Sequence, residues 1–333
     1  MKEKTFFSPK LLIKSLCLAI VLLILTGQHI LAEGIRKKVT VIGHRGAAGL
    51  APENTIAGFS QALKLGVDAI ELDVLMSSDD QIVVHHDFYL NSQIARTPEG
   101  KWLKERKGAP IKERSLATLK TFDVGRLKPN TRYERKYPNQ IPVDGERIPT
   151  LKESIRLLKQ KAKNTVQLWV EIKTTPEEPK ISSAPEDVVN AVFQLLKDEH
   201  FVERVKIVSF DWRALKYIQK IAPNIQTVYL TSLTKQFKSF SFNNPWESTW
   251  TSGLDINDFG GSLPRTIKAA GGRFWAPKYT QATPELIKEA HECGLDVAVW
   301  TLDEDKDFRQ LIHMGVDAII TNRPDRLLRI IKE

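Results

Sequence analysis

Cysteine is nearly absent, with two in 333 residues. Cys17 falls in the N-terminal segment, and Cys293 alone cannot close an intramolecular bridge. The fold therefore rests on core packing rather than on disulfides. Cys293, near a helix end in "KEAHECGLD", reads as a buried structural thiol. No zinc-finger spacing occurs, and no basic run is interleaved with aromatics, which argues against a nucleic-acid partner. No pair of histidines stands at the helical spacing of a zinc site. Long apolar runs are also lacking. The one at Leu16–Leu25 falls well short of the roughly 20 residues of a membrane-spanning helix.

That run has the surroundings of an export signal. Lys2, Lys4, Lys10 and Lys14 precede it and "TGQHILAEG" follows, so residues 1–32 are expected to be removed after Ala32. The alternative is an uncleaved anchor, because Ile30 is large for its place before a cut. The expected compartment is outside the cytoplasmic membrane, in the periplasm. Loss of the segment lowers the formal charge from +9 to +6. A moderately basic surface of that kind suits an anionic small molecule or peripheral contact with lipid headgroups. No stable protein partner is implied.

From residue 38, apolar runs of strand length alternate with helix-like stretches. The strand candidates are "KVTVIG", "DAIELDV", "QIVVHH", "VQLWVEIK", "VKIVSF", "IQTVYL", "RFWAP", "DVAVW" and "DAIIT". Their nearly continuous hydrophobicity and β-branched content predict parallel strands covered on both faces. Helix ends are legible: Asn54 as a cap with Gly66 closing, Thr150 with Glu153 as a capping box, Thr283 before Pro284, and Gly294 and Gly315 as stops. "GVDAI" occurs at 66–70 and again at 315–319. One helix-to-strand joint used repeatedly predicts a (β/α)8 TIM barrel over residues 33–333, with an open doubly wound sheet as the alternative.

Nine strands exceed eight by one. About six residues separate "ELDV" from "IVVHH", too few for a parallel crossover. Residues 71–86 are therefore expected to form a hairpin-like excursion at the barrel mouth, turning at Ser78 and Asp79, with Glu71 opposite His86. Residues 88–149, charged and rich in proline, fit the repeat poorly and predict a small inserted lobe after the third strand, with a short helix near 115–121. Residues 232–264, long and aromatic, are expected to shape a substrate opening.

In such barrels chemistry sits where strands end. His44 and Arg45 follow the first strand, Glu71 and Asp73 lie in the second, His86 and Asp87 end the third, Glu171 and Lys173 lie in the fourth, and Trp300 ends the next to last. Residues two apart share a strand face, so Glu71 pairs with Asp73 and Glu171 with Lys173. Carboxylates inside apolar runs are costly unless paired or bound to a cation. Three of them suggest a divalent cation with oxygen ligands, Ca2+ or Mg2+. The competing reading is ion pairs, Glu171 with Lys173 and Glu71 with Arg45. His44 and His86 can exchange protons near neutral pH, and Arg45 and Lys173 suit a phosphate. The small residues of "HRGAAGLAPENT" are expected to let a phosphate approach the backbone.

The stretch "HRGAAGLAPENTIAGFSQALKLGVDAIELDVLMSSDDQIVVHHD" closely resembles the glycerophosphodiester phosphodiesterase family, whose pattern joins HRG, PENT, E-x-D and a later HD. "IPTLKE", "VEIK", "VSF", "VWTLD" and "GVDAIIT" extend the resemblance over nearly the whole chain after residue 32. It implies a barrel with one divalent cation and a histidine pair. Position by position, it implies His44 and His86 as acid and base, and Glu71, Asp73 and Glu171 as metal ligands. Arg45 and Lys173 would hold the phosphate, Trp300 the organic part of the substrate, and Glu53 would brace the first loop. Two departures stand out: His85 adjoins His86, and Asp303 replaces the family's usual Asn.

The expected reaction is hydrolysis of a glycerophosphodiester to glycerol 3-phosphate and an alcohol. Rivals are a lysophospholipase D- or C-like phosphodiesterase and an exported binding protein without turnover. A glycosidase would leave Arg45 and Lys173 without a purpose.

Overall fold

The structure is a computed structural model and describes residues 38–104, 108–233 and 249–333. The expected export signal and most of the aromatic stretch expected at the opening lie outside the described residues. Among the described residues nine strands form one sheet: β1 (Thr40–Gly43), β2 (Ala69–Met76), β3 (Ile82–Val84), β4 (Gln167–Ile172), β5 (Val205–Ser209), β6 (Gln226–Thr231), β7 (Phe274–Pro277), β8 (Asp296–Val299) and β9 (Ala318–Thr321). β1 pairs in parallel with both β2 (Ile42 opposite Ala69) and β9 (Thr40 opposite Ala318), so eight parallel strands close on themselves. β3 alone is antiparallel, hung on the end of β2. This is the expected (β/α)8 barrel.

Among the described residues, eight helices of seven to fourteen residues cover the outside: α1 (Ile56–Leu65), α4 (Leu151–Lys161), α5 (Pro185–Asp198), α6 (Trp212–Ile221), α7 (Leu263–Ala269), α8 (Pro284–Glu292), α9 (Asp305–Met314) and α10 (Pro324–Lys332). Two shorter ones, α2 (Leu116–Leu119) and α3 (Arg132–Lys136), lie in the insertion. The expected stops and caps are present, including the Thr150–Glu153 capping box and left-handed Gly66 and Gly315. Asn54 is a correction. Thr55 caps α1 by accepting from the Gly58 amide at 3.0 Å, and Asn54 stands one residue outside in left-handed backbone, φ 53°. Cys293 is half-buried at the end of α8 rather than sealed in the core.

The hairpin also departs from expectation. β2 is a full barrel strand, paired with β4 from Ala69 to Val74, and only Val74–Met76 continue outward to meet β3. Left-handed Asp80 adds a residue to the turn, so Val74 faces Val84 and the centre moves to Asp79. Asp73, not Glu71, then meets the next residue along: its carbonyl accepts from the His85 amide at 3.0 Å. A one-residue slip exchanges the faces of a strand, which is why this detail matters for the site.

Apolar residues pack both inside and outside the barrel. Ile42, Trp169, Val208, Leu230, Phe274 and Ile320 fill its interior, while Phe59, Leu72, Val170, Trp212 and Phe308 join strands to helices. A third cluster, Leu75, Val83, Leu90, Ile111, Leu119 and Ile148, ties the extended β2–β3 hairpin to residues 88–149. Full burial of a large apolar side chain contributes on the order of 1.5–3 kcal/mol. The insertion is thereby fixed beside the mouth of the barrel.

Candidate active site

The loop after β1 turns sharply. A Cβ on Gly43 would lie 2.0 Å from the Gly46 carbonyl oxygen, and one on Gly46 would strike Gly58. Gly43 and Gly46 therefore make room for the chain's own backbone in this turn. The turn leaves Arg45 in left-handed backbone, φ 49°, with its amide donating to Glu71 Oε2 at 3.0 Å.

Glu71, Asp73 and Glu171 converge from adjacent strands β2 and β4, with one carboxylate oxygen from each lying within 4.8 Å of the others, all buried. Glu71 Oε1 has no hydrogen-bond partner. Burial, then the charges of Asp73 and Glu171, hold Glu71 well above the ordinary carboxyl range. Burial likewise pushes Glu171 up to about 7, against the pull of Lys173. Burial opposes ionisation of Asp73 too, but Lys173, His86 and Arg45 outweigh it and hold that carboxyl well below its usual range. Three buried oxygen donors, one of them unpartnered, fit a hard divalent cation.

The two expected phosphate-holding cations are embedded in carboxylates. Lys173 Nζ lies 2.5 Å from Glu171 and 3.0 Å from Asp73, and their charges push it up to about 12 despite burial. Arg45 Nη1 meets Glu53 at 2.7 Å and its Nε lies 3.3 Å from Asp73. The ion-pair reading and the metal reading thus describe the same cluster, except that Arg45 meets Glu71 through its amide and not its guanidinium. Glu53 also accepts from Tyr133 of α3, so the insertion reaches Arg45 through one carboxylate.

His44 and His86 both line a cavity of about 440 Å3 at the ends of the strands, with Arg45, Glu71, Glu171, Lys173, Trp300 and Tyr133. His44 Nδ1 lies 2.6 Å from Asn322 Oδ1 and its Nε2 lies 4.0 Å from Glu71. His86 Nδ1 lies 2.8 Å from Asp87 Oδ1, and Asn91 holds the other Asp87 oxygen at 2.9 Å. Burial, then Arg45, holds both rings below the usual imidazole range, His44 by more than His86. His85 is buried, its ring against the Tyr89 carbonyl at 3.2 Å, and does not line the cavity. Trp300 donates to the Ala276 carbonyl at 2.8 Å and meets Phe210 edge-on at 5.3 Å. All eight expected site residues therefore come together, seven on the cavity wall and Asp73 just beneath it.

Several partners escaped the sequence. Asn54, read as a cap, donates its Nδ2 to Asp73 at 2.8 Å. Asp303 accepts from Asn322 Nδ2 at 2.8 Å and from the Asn322 amide at 2.9 Å. Asn322 follows β9, so the rule that selected residues at strand ends would have found it. No such signal marked Tyr133, Lys136 or Tyr137, which come from the insertion.

Comparison with known proteins agrees with this architecture. Residues 44–326 match the model of the glycerophosphoryl diester phosphodiesterase family. A glycerophosphodiester phosphodiesterase of Caldanaerobacter subterraneus is 30% identical over 298 residues, covering 89% of this chain and 99% of that protein. A solved structure from Silicibacter pomeroyi, described as a candidate glycerophosphoryl diester phosphodiesterase, is 34% identical with a TM-score of 0.79, covering 90% of this chain and 95% of that one. A phosphodiesterase from Oleispira antarctica, solved with sn-glycerol-3-phosphate, shares the fold at 23% identity and a TM-score of 0.64, covering 88% and 97%. With the barrel, the acidic triad and the two cavity histidines in place, the chain belongs to the glycerophosphoryl diester phosphodiesterase family.

Proposed function

We propose that this protein hydrolyses glycerophosphodiesters to glycerol 3-phosphate and an alcohol, with His44 and His86 exchanging protons and a divalent cation held by Glu71, Asp73 and Glu171. The observation that carries the reading is the convergence of two cavity histidines, two cations and three buried carboxylates on one end of the barrel. When bound, the cation would neutralise negative charge developing on the phosphate oxygens.

The hydrogen bonds of each ring divide the roles. A carboxylate only accepts, so Asp303 takes the Asn322 Nδ2 hydrogens and leaves Asn322 Oδ1 facing His44. His44 must then carry its proton on Nδ1, and Nε2 keeps a lone pair toward the cavity. That ring suits the first proton acceptor, taking hydrogen from the glycerol 2-hydroxyl as its oxygen attacks phosphorus. His86 instead sets Nδ1 against the Asp87 carboxylate, which stabilises an imidazolium and suits the donor to the departing alcohol. The attack closes a five-membered cyclic phosphate. Water then opens it with the roles reversed. Arg45 and Lys173 offer a planar fork and a point charge to the phosphate oxygens.

Incubation with glycerophosphocholine, with Ca2+ or Mg2+ or with chelator, tests this. Cation-dependent appearance of glycerol 3-phosphate and choline is expected. Absence of any cleavage with either ion would overturn the reading. Residues 1–32 fit an export signal cut after Ala32, placing the enzyme outside the cytoplasmic membrane. A secreted form whose first residue is Glu33 is the expected product.

A further inference from the structure

Two cavities meet at the phosphate-holding groups and share His86, Asp87, Glu171, Lys173, Phe210 and Trp300. Their walls differ in charge. The first carries Lys136 and Lys278, two ammonium groups with no carboxylate partner among the described residues. Loss of hydration, then the charge of Arg45, holds Lys136 below the ordinary lysine range, and Lys278 adds to the effect. The second is lined by Phe88, Tyr89, Phe210, Trp250 and Trp300, with Glu178 at its edge. Four of these aromatics are half-buried, and Trp250, though buried from bulk solvent, also lines the cavity. Trp250 is oriented by donation from its Nε1 to Glu177 at 3.0 Å. Glu178 is exposed and has no ion pair among the described residues.

Aromatic faces carry negative quadrupole charge and attract a poorly hydrated cation, most strongly one too bulky to form hydrogen bonds. A positively charged alcohol would be repelled from the first cavity by Lys136 and Lys278 and drawn to the second. The second also adjoins His86, the ring that donates to the departing alcohol in the proposed mechanism. We infer that the aromatic cavity is a subsite for a quaternary ammonium alcohol such as choline, making trimethylammonium diesters preferred substrates. The inference rests on the phosphodiesterase reading above and adds the class of leaving group.

The test compares glycerophosphocholine with its uncharged carbon isostere, the glycerophosphodiester of 3,3-dimethylbutanol. Shape and apolar area match, so the ratio of kcat/KM values reads charge alone. The expected ratio is about 5- to 30-fold in favour of choline, as one or two cation–π contacts supply. Trp250→Leu should bring the ratio toward one, and Glu178→Gln should lower it by about 2- to 5-fold. Because Glu178 is exposed, its variant stays informative even if Trp250→Leu fails to fold. Equal turnover of the two esters by the wild type would overturn the inference and leave a plain apolar slot, as an acyl chain would require. A ratio that neither variant changes would overturn it as well. If neither ester is cleaved with cation present, the phosphodiesterase reading fails instead. The subsite is then judged by calorimetric binding of the two esters, and equal affinity rejects it.

Discussion

His44 Nδ1 stands 2.6 Å from Asn322 Oδ1, and Asn322 in turn donates its Nδ2 to Asp303 at 2.8 Å. An amide can present either end to an imidazole, and Asp303 removes that choice. Asp303→Asn restores it, because a second amide can accept or donate. The expected result is a kcat lowered about 10- to 100-fold, the usual cost of losing an orienting partner, with KM little changed. A change confined to KM would show that the pair shapes binding rather than the ring.

His44→Ala and His86→Ala should each reduce turnover by at least about 100-fold, the lower range for one acid–base group. Both rings line the cavity and neither belongs to the hydrophobic clusters, so melting temperatures should remain close to wild type. Wild-type activity in both variants would reject their roles.

Cation affinity should depend on pH with a definite sign. Glu171 ionises near pH 7 and Glu71 well above the ordinary carboxyl value, because burial and mutual repulsion favour their neutral forms. A cation must displace those protons, so binding should strengthen as pH rises through about 7 and weaken in acid. Calorimetric titration with Ca2+ or Mg2+ between about pH 5.5 and 8.5 measures this, and proton uptake on binding would contradict it.

Glu71→Gln separates stability from function. In the free protein, burial and the charges of Asp73 and Glu171 disfavour ionised Glu71, a cost that a neutral amide does not carry, so the melting temperature in chelator should rise by a few degrees, about 2–4 °C per kcal/mol. The rise that cation gives the wild type should shrink, and activity should fall. A lower melting temperature in chelator would mean that the hydrogen bond from the Arg45 amide outweighs the repulsion.

Tyr133→Phe tests the reach of the insertion. Tyr133 donates to Glu53, which also accepts from Arg45. Loss of the hydroxyl leaves Arg45 less firmly held, so KM for a phosphodiester should rise about 3- to 10-fold while kcat changes less, within the net worth of one ordinary hydrogen bond. Unchanged KM would confine the insertion to a structural role.

The sequence by itself determined the barrel and marked the polar residues at its strand ends, because both follow from local pattern. Parallel strands covered on both faces must be apolar throughout, so polar residues such as Glu71, Asp73 and Glu171 stand out within them. Glycines such as Gly66 and Gly315 mark helix ends because the left-handed backbone there favours a residue without Cβ. Only the tertiary structure decided what depends on register and on contacts distant in sequence. The single extra residue at Asp80 set which β3 residue meets which β2 residue, and so which β2 residue the His85 amide reaches. His44 and Asn322, 278 positions apart, meet because β1 pairs with β9 to close the barrel. Tyr133 reaches Glu53 across 80 positions because the insertion packs on the β2–β3 hairpin. Periodicity records which face of an element is buried, but carries no information about which distant element will cover it.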